Sequence, residues 1–553
     1  MARWRMLEPE EGLVAELERL EGIDALCARV LANRGVPPEE ASSFLSPSLL
    51  TVRRPEGEPW IAAARRIARA VKDRERIGIF GDYDTDGITS AALLYEALSR
   101  YTENLLVRLP TRQTGYGLLE PYVRDLFAEG VDLLITADCG ISNRREVELA
   151  ASLGMDVIVS DHHIPPEDPP EAAVAVLDPK LWDPEDPLAG VGVAWKLAWA
   201  VARELGGSEE GKRLLKGSLD LVALGTIVDI APLVGDNRAL ASTGLRYLNE
   251  SLRKRSIRPG LRALVDVAGV RGALDEEDLG WRIGPRINSI GRMKDPTPAL
   301  KLMLTRDRVE AARIASELDH LNAERQRRTQ QAVELALAEV DPEQDLKVVI
   351  TEEIGGIAGL IAGKVASATG RPAAVLNRRA DGSYGGSARA GETDVDLYGA
   401  LLCVRHLMGE WGGHRKAAGI SVKPGRLEEF SRGVNAAVRA QHEANPEIFE
   451  PALEVEAEVP LSALSNGFLG WHERLAPFGS GNRRPLFVSS GLVVEGVRRL
   501  WEGMYLLRVK DGPAARLAAP PEALPEGPFE AAYTVYRSAY GGGAEIEILD
   551  WRK

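Results

Sequence analysis

Cysteine is scarce. Cys27, Cys139 and Cys403 are the only three in 553 residues and lie far apart, which excludes a disulfide framework. Long apolar runs are missing too. No stretch reaches the roughly 18 uninterrupted apolar residues of a membrane span. The opening M-A-R-W-R-M-L-E-P-E-E has no apolar core behind its basic residues, so no signal peptide is expected. A cytoplasmic location and no membrane partner follow as expectations. Basic charge is in deficit, with 68 Lys and Arg against 82 Asp and Glu, a net of −14. A global deficit does not forbid a local basic groove. Basic residues do cluster at Ser251–Arg262, Ala323–Arg328, Gly412–Lys416 and Gly481–Pro485. What is present is ordinary for a globular chain: 45% apolar and 27% charged residues exclude disordered, collagen-like and rod-like classes.

The first fifty residues read as helical and carry no recognisable chemistry. From Trp60 a different grammar begins. R-I-G-I-F is a short buried strand, then comes the loop G-D-Y-D-T-D-G, then the helix T-S-A-A-L-L-Y-E-A-L. V-D-L-L-I-T-A-D-C-G, M-D-V-I-V-S-D-H-H and A-A-V-A-V-L-D-P repeat it, with strands ending at Asp138, Asp161 and Asp178. Strands alternating with helices predict a mostly parallel α/β sheet. Such sheets bind ligands beyond the carboxyl ends of their strands, so acids at those ends share one edge. A long helix is predicted from about Arg308 to Val340, with no large apolar residue in its middle, N-A-E-R-Q-R-R-T-Q-Q. It reads as a connector crossing solvent. A second α/β pattern follows, and from about Pro451 short strands predict a small barrel or sandwich.

Gly81-Asp82-Tyr83-Asp84-Thr85-Asp86-Gly87 places three carboxylates between a strand and a helix. Hard divalent cations take oxygen ligands of this kind, and crowded carboxylates are costly unless a cation neutralises them. A solvated acidic turn is the alternative. A calcium loop of the EF-hand type is excluded, because its later Glu and flanking helices are missing. Ser160-Asp161-His162-His163 puts two of only seven histidines beside an acid at a strand end. Imidazole is a common metal ligand, and a neighbouring carboxylate can hold its second nitrogen. Asp138 ends a strand of its own, and Asp229 sits in A-L-G-T-I-V-D-I-A-P-L, where a helix-terminal role is the alternative. Mixed oxygen and imidazole donors fit manganese better than zinc. Two such ions a few ångströms apart suit hydrolysis of a phosphate ester. Cys139 reads as a small buried neighbour rather than a nucleophile.

The set D-Y-D-T-D-G, T-A-D-C-G, S-D-H-H and A-L-G-T-I-V-D resembles the DHH phosphoesterase superfamily. The later I-N-S-I-G-R-M, G-S-A-R-A, G-G-H-R-K-A-A-G and A-P-F-G-S-G-N-R-R-P-L-F are similar to its bacterial exonuclease branch, which degrades single-stranded DNA from 5′ to 3′. The resemblance implies a parallel-sheet α/β DHH catalytic domain at 51–305, after an N-terminal helical segment at 1–50. A connector helix at 306–342 would lead to a smaller α/β DHHA1 domain at 343–447 and an OB-like β-barrel at 448–553. It implies two divalent ions, manganese preferred and magnesium possible, on Asp84, Asp86, Asp138, His162 and Asp229. Asp138 would bridge them, with Asp82 an additional acidic neighbour. His163 would face the scissile phosphate and Asp161 would orient the histidines. Asn288 and Arg292 would lie beside the nucleotide. Arg112, Ser387 and Arg389 would hold the 5′-phosphate, and Gly412, Gly413 and His414 would form a glycine-rich substrate motif. Ala388 and Ala390 depart from the glycine and serine that relatives often show there.

The implied product is 5′-mononucleotides, in DNA repair and recombination. Aromatics at Phe478, Phe487, Trp501, Tyr505 and Tyr536 are candidates for holding the strand on the barrel, with core packing the alternative for several. Single-stranded DNA is the expected partner, with a helicase or single-strand-binding protein beside it, and the chain is expected to be a monomer. The alternative is a DHH phosphodiesterase acting on short oligonucleotides or cyclic dinucleotides. A metal-free DNA-binding scaffold would have lost ligands that this sequence keeps.

Overall fold

The computed structural model describes residues 3–111, 117–206, 213, 215–352, 356–501, 503–538 and 542–553. The chain divides into two compact units. One is built from Pro9–Asn322 and Gly470–Arg484. The other is built from Ala323–Leu469 and Pro485–Lys553 together with the N-terminal strand Arg3–Met6.

The first unit holds a five-stranded sheet in the order Leu105–Arg108, Ile77–Gly81, Leu133–Ala137, Asp156–Ser160, Ala175–Leu177, with every pair parallel. Strands buried on both faces read as unbroken apolar runs, and both Ile77–Gly81 and Leu133–Ala137 are buried throughout. Alternate residues feed opposite faces. Ile77, Ile79, Leu133 and Ile135 pack with the helices Glu58–Asp73, Thr85–Leu98 and Gly190–Glu204. Phe80, Leu134, Val157 and Val159 pack with the helices Glu120–Ala128 and Arg144–Leu153. The helix Leu219–Val228 is apolar on nearly every side and lies in the first of these cores.

The second unit contains a mixed sheet in the order Gly412–His414, Ala417–Val422, Tyr384–Arg389, Ala373–Arg378, Lys347–Ile350. Only its last pair is parallel. The helix Ala358–Thr369 covers one face and Leu427–Ala444 the other. A seven-stranded mixed sheet spans Ala457 to Arg552.

The connector is one continuous helix, Arg308–Glu339. Ile314, Leu318 and Leu321 pack in the first unit's core, and Ala332, Val333 and Ala336 in the second's. Its middle is less solvated than the sequence suggests, because Asn322 and Thr329 are buried. The N-terminal segment also differs from expectation. The helices Glu11–Glu18, Ala25–Asn33 and Pro38–Leu45 form, but Arg3–Met6 is a strand paired in parallel with Ala452–Val455. Trp4 fixes it, donating Nε1–H to Asp550 Oδ2 at 2.9 Å. A four-residue strand is too short to show a period.

Candidate metal centre

Parallel pairing sets the site. Gly81 is in register with Ala137, and Ser160 with Leu177. The ladder continues one residue beyond each strand. Asp82 N donates to Ala137 O at 3.2 Å, Asp138 N to Ser160 O at 2.9 Å and Asp161 N to Leu177 O at 3.1 Å. Asp82, Asp138, Asp161 and Asp178 thereby line one sheet edge.

Asp84 caps the helix Thr85–Leu98, its Oδ1 accepting from the amides of Asp86 (3.0 Å) and Gly87 (3.1 Å). Asp86 points inward and accepts from two amides at the start of the helix Gly190–Glu204, Gly190 N at 2.8 Å and Val191 N at 3.0 Å. A helix N-terminus favours negative charge there. Asp229 closes the helix Leu219–Val228. Around His162 Nε2 the carboxylates converge, with Asp138 Oδ1 at 3.1 Å, Asp229 Oδ2 at 3.8 Å and Asp86 Oδ2 at 3.9 Å. Asp82 and Asp84 form a second group sharing Asp138.

This cluster is costly without a cation. Burial, and then mutual repulsion, pushes Asp82, Asp138 and Asp229 well above the usual carboxylate range and Asp86 up to about 7. Burial lowers His162 to about 3, so its imidazole is neutral and available as a ligand. Asp82 Oδ1 and Asp138 Oδ1 are buried with no hydrogen-bond donor among the described residues. Orphaned anionic oxygens beside a neutral imidazole are the donor set a hard-to-borderline divalent ion needs. The residues fit a pair of such ions.

Asp161 is held differently. Its Oδ2 accepts from Ile141 N at 2.9 Å, and its Oδ1 accepts from His162 N at 2.7 Å and lies 2.7 Å from His163 Nδ1. Burial alone would raise it, but these bonds keep its pKa lowered. His163 is lowered by burial but raised more strongly by Asp161, reaching about 9. Its ring is 43% exposed, so Asp161 aims a half-open imidazole toward solvent.

Asn288, on the helix Gly284–Met293, accepts through Oδ1 from Thr85 N at 2.9 Å and Thr85 Oγ1 at 2.7 Å. It therefore braces the aspartate loop. Arg292 lies on the same helix, one residue from Gly291, which sits against the Tyr83 carbonyl. Arg112 lies outside the described residues. Ser387, Arg389, Gly412, Gly413 and His414 belong to the other unit. Ser387 and Arg389 share the strand Tyr384–Arg389, beside Gly359 of the neighbouring helix. Gly412–His414 is an exposed strand. Ala388, on that strand, and Ala390, just beyond it, are fully buried core residues. Cys139 is buried, and its thiol is pushed up by burial, as expected of an inert neighbour. Two of the aromatics take the core alternative. Phe478 is buried in the first unit under the Arg484 guanidinium, and Phe487 is core against Phe468. Trp501 is 59% exposed.

Sequence reasoning missed the glycines that admit this site. A Cβ on Gly190 would lie 2.4 Å from Asp138 Oδ1, and one on Gly225 would lie 2.6 Å from Asp86 Oδ1. Lys180 was missed as well. Its Nζ donates to the His162 carbonyl. The A-G-V-G run at 189–192 was the available signal.

Comparison with known proteins agrees. The model of the DHH family, N-terminal domain, matches residues 76–226, the DHHA1 domain 346–440 and the RecJ OB domain 455–547. The fold and the site thus define a member of the DHH family. The single-stranded-DNA-specific exonuclease RecJ of Thermus thermophilus is 34% identical over 89% of this chain and 70% of its own length. Its Escherichia coli counterpart is 34% identical over 79% of this chain and 78% of its own. The chain spans 63% of the length of the Bacillus subtilis RecJ, at 33% identity and over 90% of this chain. A crystal structure of Thermus thermophilus RecJ with Mn2+ superposes with a TM-score of 0.83 at 30% identity, covering all of this chain and 79% of that one. Its Mg2+ complex matches with a TM-score of 0.76 at 28% identity, covering 78% of that chain. The chain belongs to the RecJ family of single-stranded-DNA-specific exonucleases.

Proposed function

We propose that this chain hydrolyses single-stranded DNA from its 5′ end, releasing 5′-mononucleotides. The observation that carries the reading is the convergence of Asp86, Asp138 and Asp229 on His162 Nε2, with Asp82 and Asp84 sharing Asp138. Asp84, Asp86, Asp138, His162 and Asp229 would hold two divalent ions, manganese preferred, with Asp82 an additional acidic neighbour. When bound, such ions lower the pKa of water and steady charge on a phosphoryl group in line with it. The protein's own part is positional. Asp161 fixes the His163 ring so that its outer nitrogen meets a phosphate oxygen. The amides of Gly190 and Val191 hold Asp86 in one rotamer. Asn288 keeps the aspartate loop closed, and Arg292 lies beside the nucleotide. Ser387 and Arg389, with Arg112, bind the 5′-phosphate through hydroxyl and guanidinium donors, and Gly412, Gly413 and His414 follow the backbone.

Helicase and single-strand-binding partners, a monomeric state and a cytoplasmic setting in repair and recombination complete the reading. No helix among the described residues is long and apolar enough to cross a membrane. The test uses manganese and a long strand with a 5′-phosphate and a 3′ label, with Asp138→Ala and a chelated sample alongside. Mononucleotides released while the label stays on shortening strands are expected from the parent alone. An intact, metal-loaded chain that cuts nothing sinks the proposal. A shorter alternative, cleavage of dinucleotides only, would appear in the same assay with those substrates.

A further inference from the structure

Ile230 follows Asp229 directly and has a φ of 61°. The backbone there closes a helix: Ile230 N donates to Ile227 O at 3.2 Å and Ala231 N to Thr226 O at 3.3 Å. In this turn the left-handed residue is normally glycine, because a β-branched side chain crowds its own backbone. Burial does not compensate, since Ile230 is 69% exposed. Asp138 shares the left-handed conformation at φ 65°, but an aspartate tolerates it and this one turns its carboxylate into the cluster. For the fold alone, glycine at position 230 would serve better. A strained residue held beside a functional site points to a ligand contact.

A second observation agrees. Ile164 follows His163 directly and is 62% exposed. His162 Nε2 lies 3.8 Å from Asp229 Oδ2, so each isoleucine continues a segment that supplies a side chain to the same cluster. The site thus pairs clustered carboxylates with exposed aliphatic side chains next to them in the chain. It suits a ligand that is phosphate at one end and flat and apolar at the other.

We propose that Ile230, with Ile164 beside it, is the surface on which a base flanking the scissile phosphate rests. The inference builds on the exonuclease reading above. An aliphatic contact meets the face that every base presents, so it adds binding without sequence preference.

The test compares the parent with Ile230→Gly and Ile230→Asn, both tolerant of the left-handed turn. Two 5′-phosphorylated strands are used, one ordinary and one abasic at its first two nucleotides. For Ile230→Gly, the melting temperature is expected to match or exceed the parent's, and manganese binding followed by electron paramagnetic resonance to stay unchanged. KM for the ordinary strand should rise about tenfold in both variants, with kcat retained, and KM for the abasic strand should not move. An unchanged KM, an equal rise on both strands, or a lower melting temperature in Ile230→Gly would overturn the contact while leaving the nuclease intact. A parent that cuts neither strand defeats the exonuclease reading itself, before any variant is made.

Discussion

The carboxyl edge of the parallel sheet and the Gly412–His414 strand of the other unit are both read as meeting DNA, yet they treat polar groups in opposite ways. At the sheet edge Asp82, Asp86 and Asp138 are at most 2% exposed, and two of their oxygens have no donor among the described residues. At the strand, Gly412, Gly413 and His414 are all exposed. Gly413 has a φ of 155°, and a Cβ there would meet the Ala417 carbonyl at 2.4 Å. One region stores electrostatic cost in the fold and releases it when cations arrive. The other keeps its backbone open at the surface. Chemistry needs the first arrangement, because charge acts strongly only where water is excluded. Following a strand of any sequence needs only the second.

If that contrast is right, changes at the edge act on turnover and stability together, and changes in the other unit act on binding alone. Asp138→Asn should have the largest effect. Nuclease rate is expected to fall about 10³-fold or more, while the metal-free protein melts higher because one buried like charge is gone. Parallel activity and melting measurements check both. Gly190→Ala should follow, since its Cβ would press on Asp138 Oδ1 and displace an amide from Asp86. Loss of about 10²-fold with weaker manganese binding is expected, read from a metal titration of activity. Arg389→Ala should be milder and differently placed. KM should rise about tenfold and the preference for a 5′-phosphate should disappear while kcat holds. A matching fall in kcat would erase the contrast.

The smallest effect is on stability against pH. His163 is raised from 6.5 to about 9, so its contribution is full below 6.5 and is lost as pH climbs through 9. Asp86 is raised from 3.8 to about 7, so its contribution is likewise lost as pH rises through 7. Both lower stability as pH rises, Asp86 between 3.8 and 7 and His163 between 6.5 and 9. Below 6.5 His163 adds no slope and His162, lowered to about 3, works against Asp86. The chelated protein is therefore expected to melt higher at pH 6.5 than at pH 9, and manganese should flatten or reverse that slope. Melting curves at the two pH values, with and without the ion, decide it.

The three-acid loop, the paired histidines and the strand-terminal aspartates were legible because each is local. A strand followed by an acid places that acid at the sheet edge whatever the rest of the chain does. The parallel sheet was legible for the same reason, as apolar runs alternating with helices admit few other arrangements. The Arg3–Met6 strand was not, because its partner Ala452–Val455 lies more than four hundred residues away. Phe478 was misplaced because residues Gly470–Arg484 pack in the first unit, which nothing in their composition announces.

The sequence by itself determined which donors exist and on which strand ends they stand, since side-chain chemistry and strand period are properties of neighbouring residues. Only the tertiary structure decided that Asp86 is capped by Gly190 and Val191 from about a hundred residues on, that Asn288 braces Thr85, and that Ile230 stands exposed in a left-handed turn. Those facts depend on distant segments competing for the same space, and that competition is settled by packing.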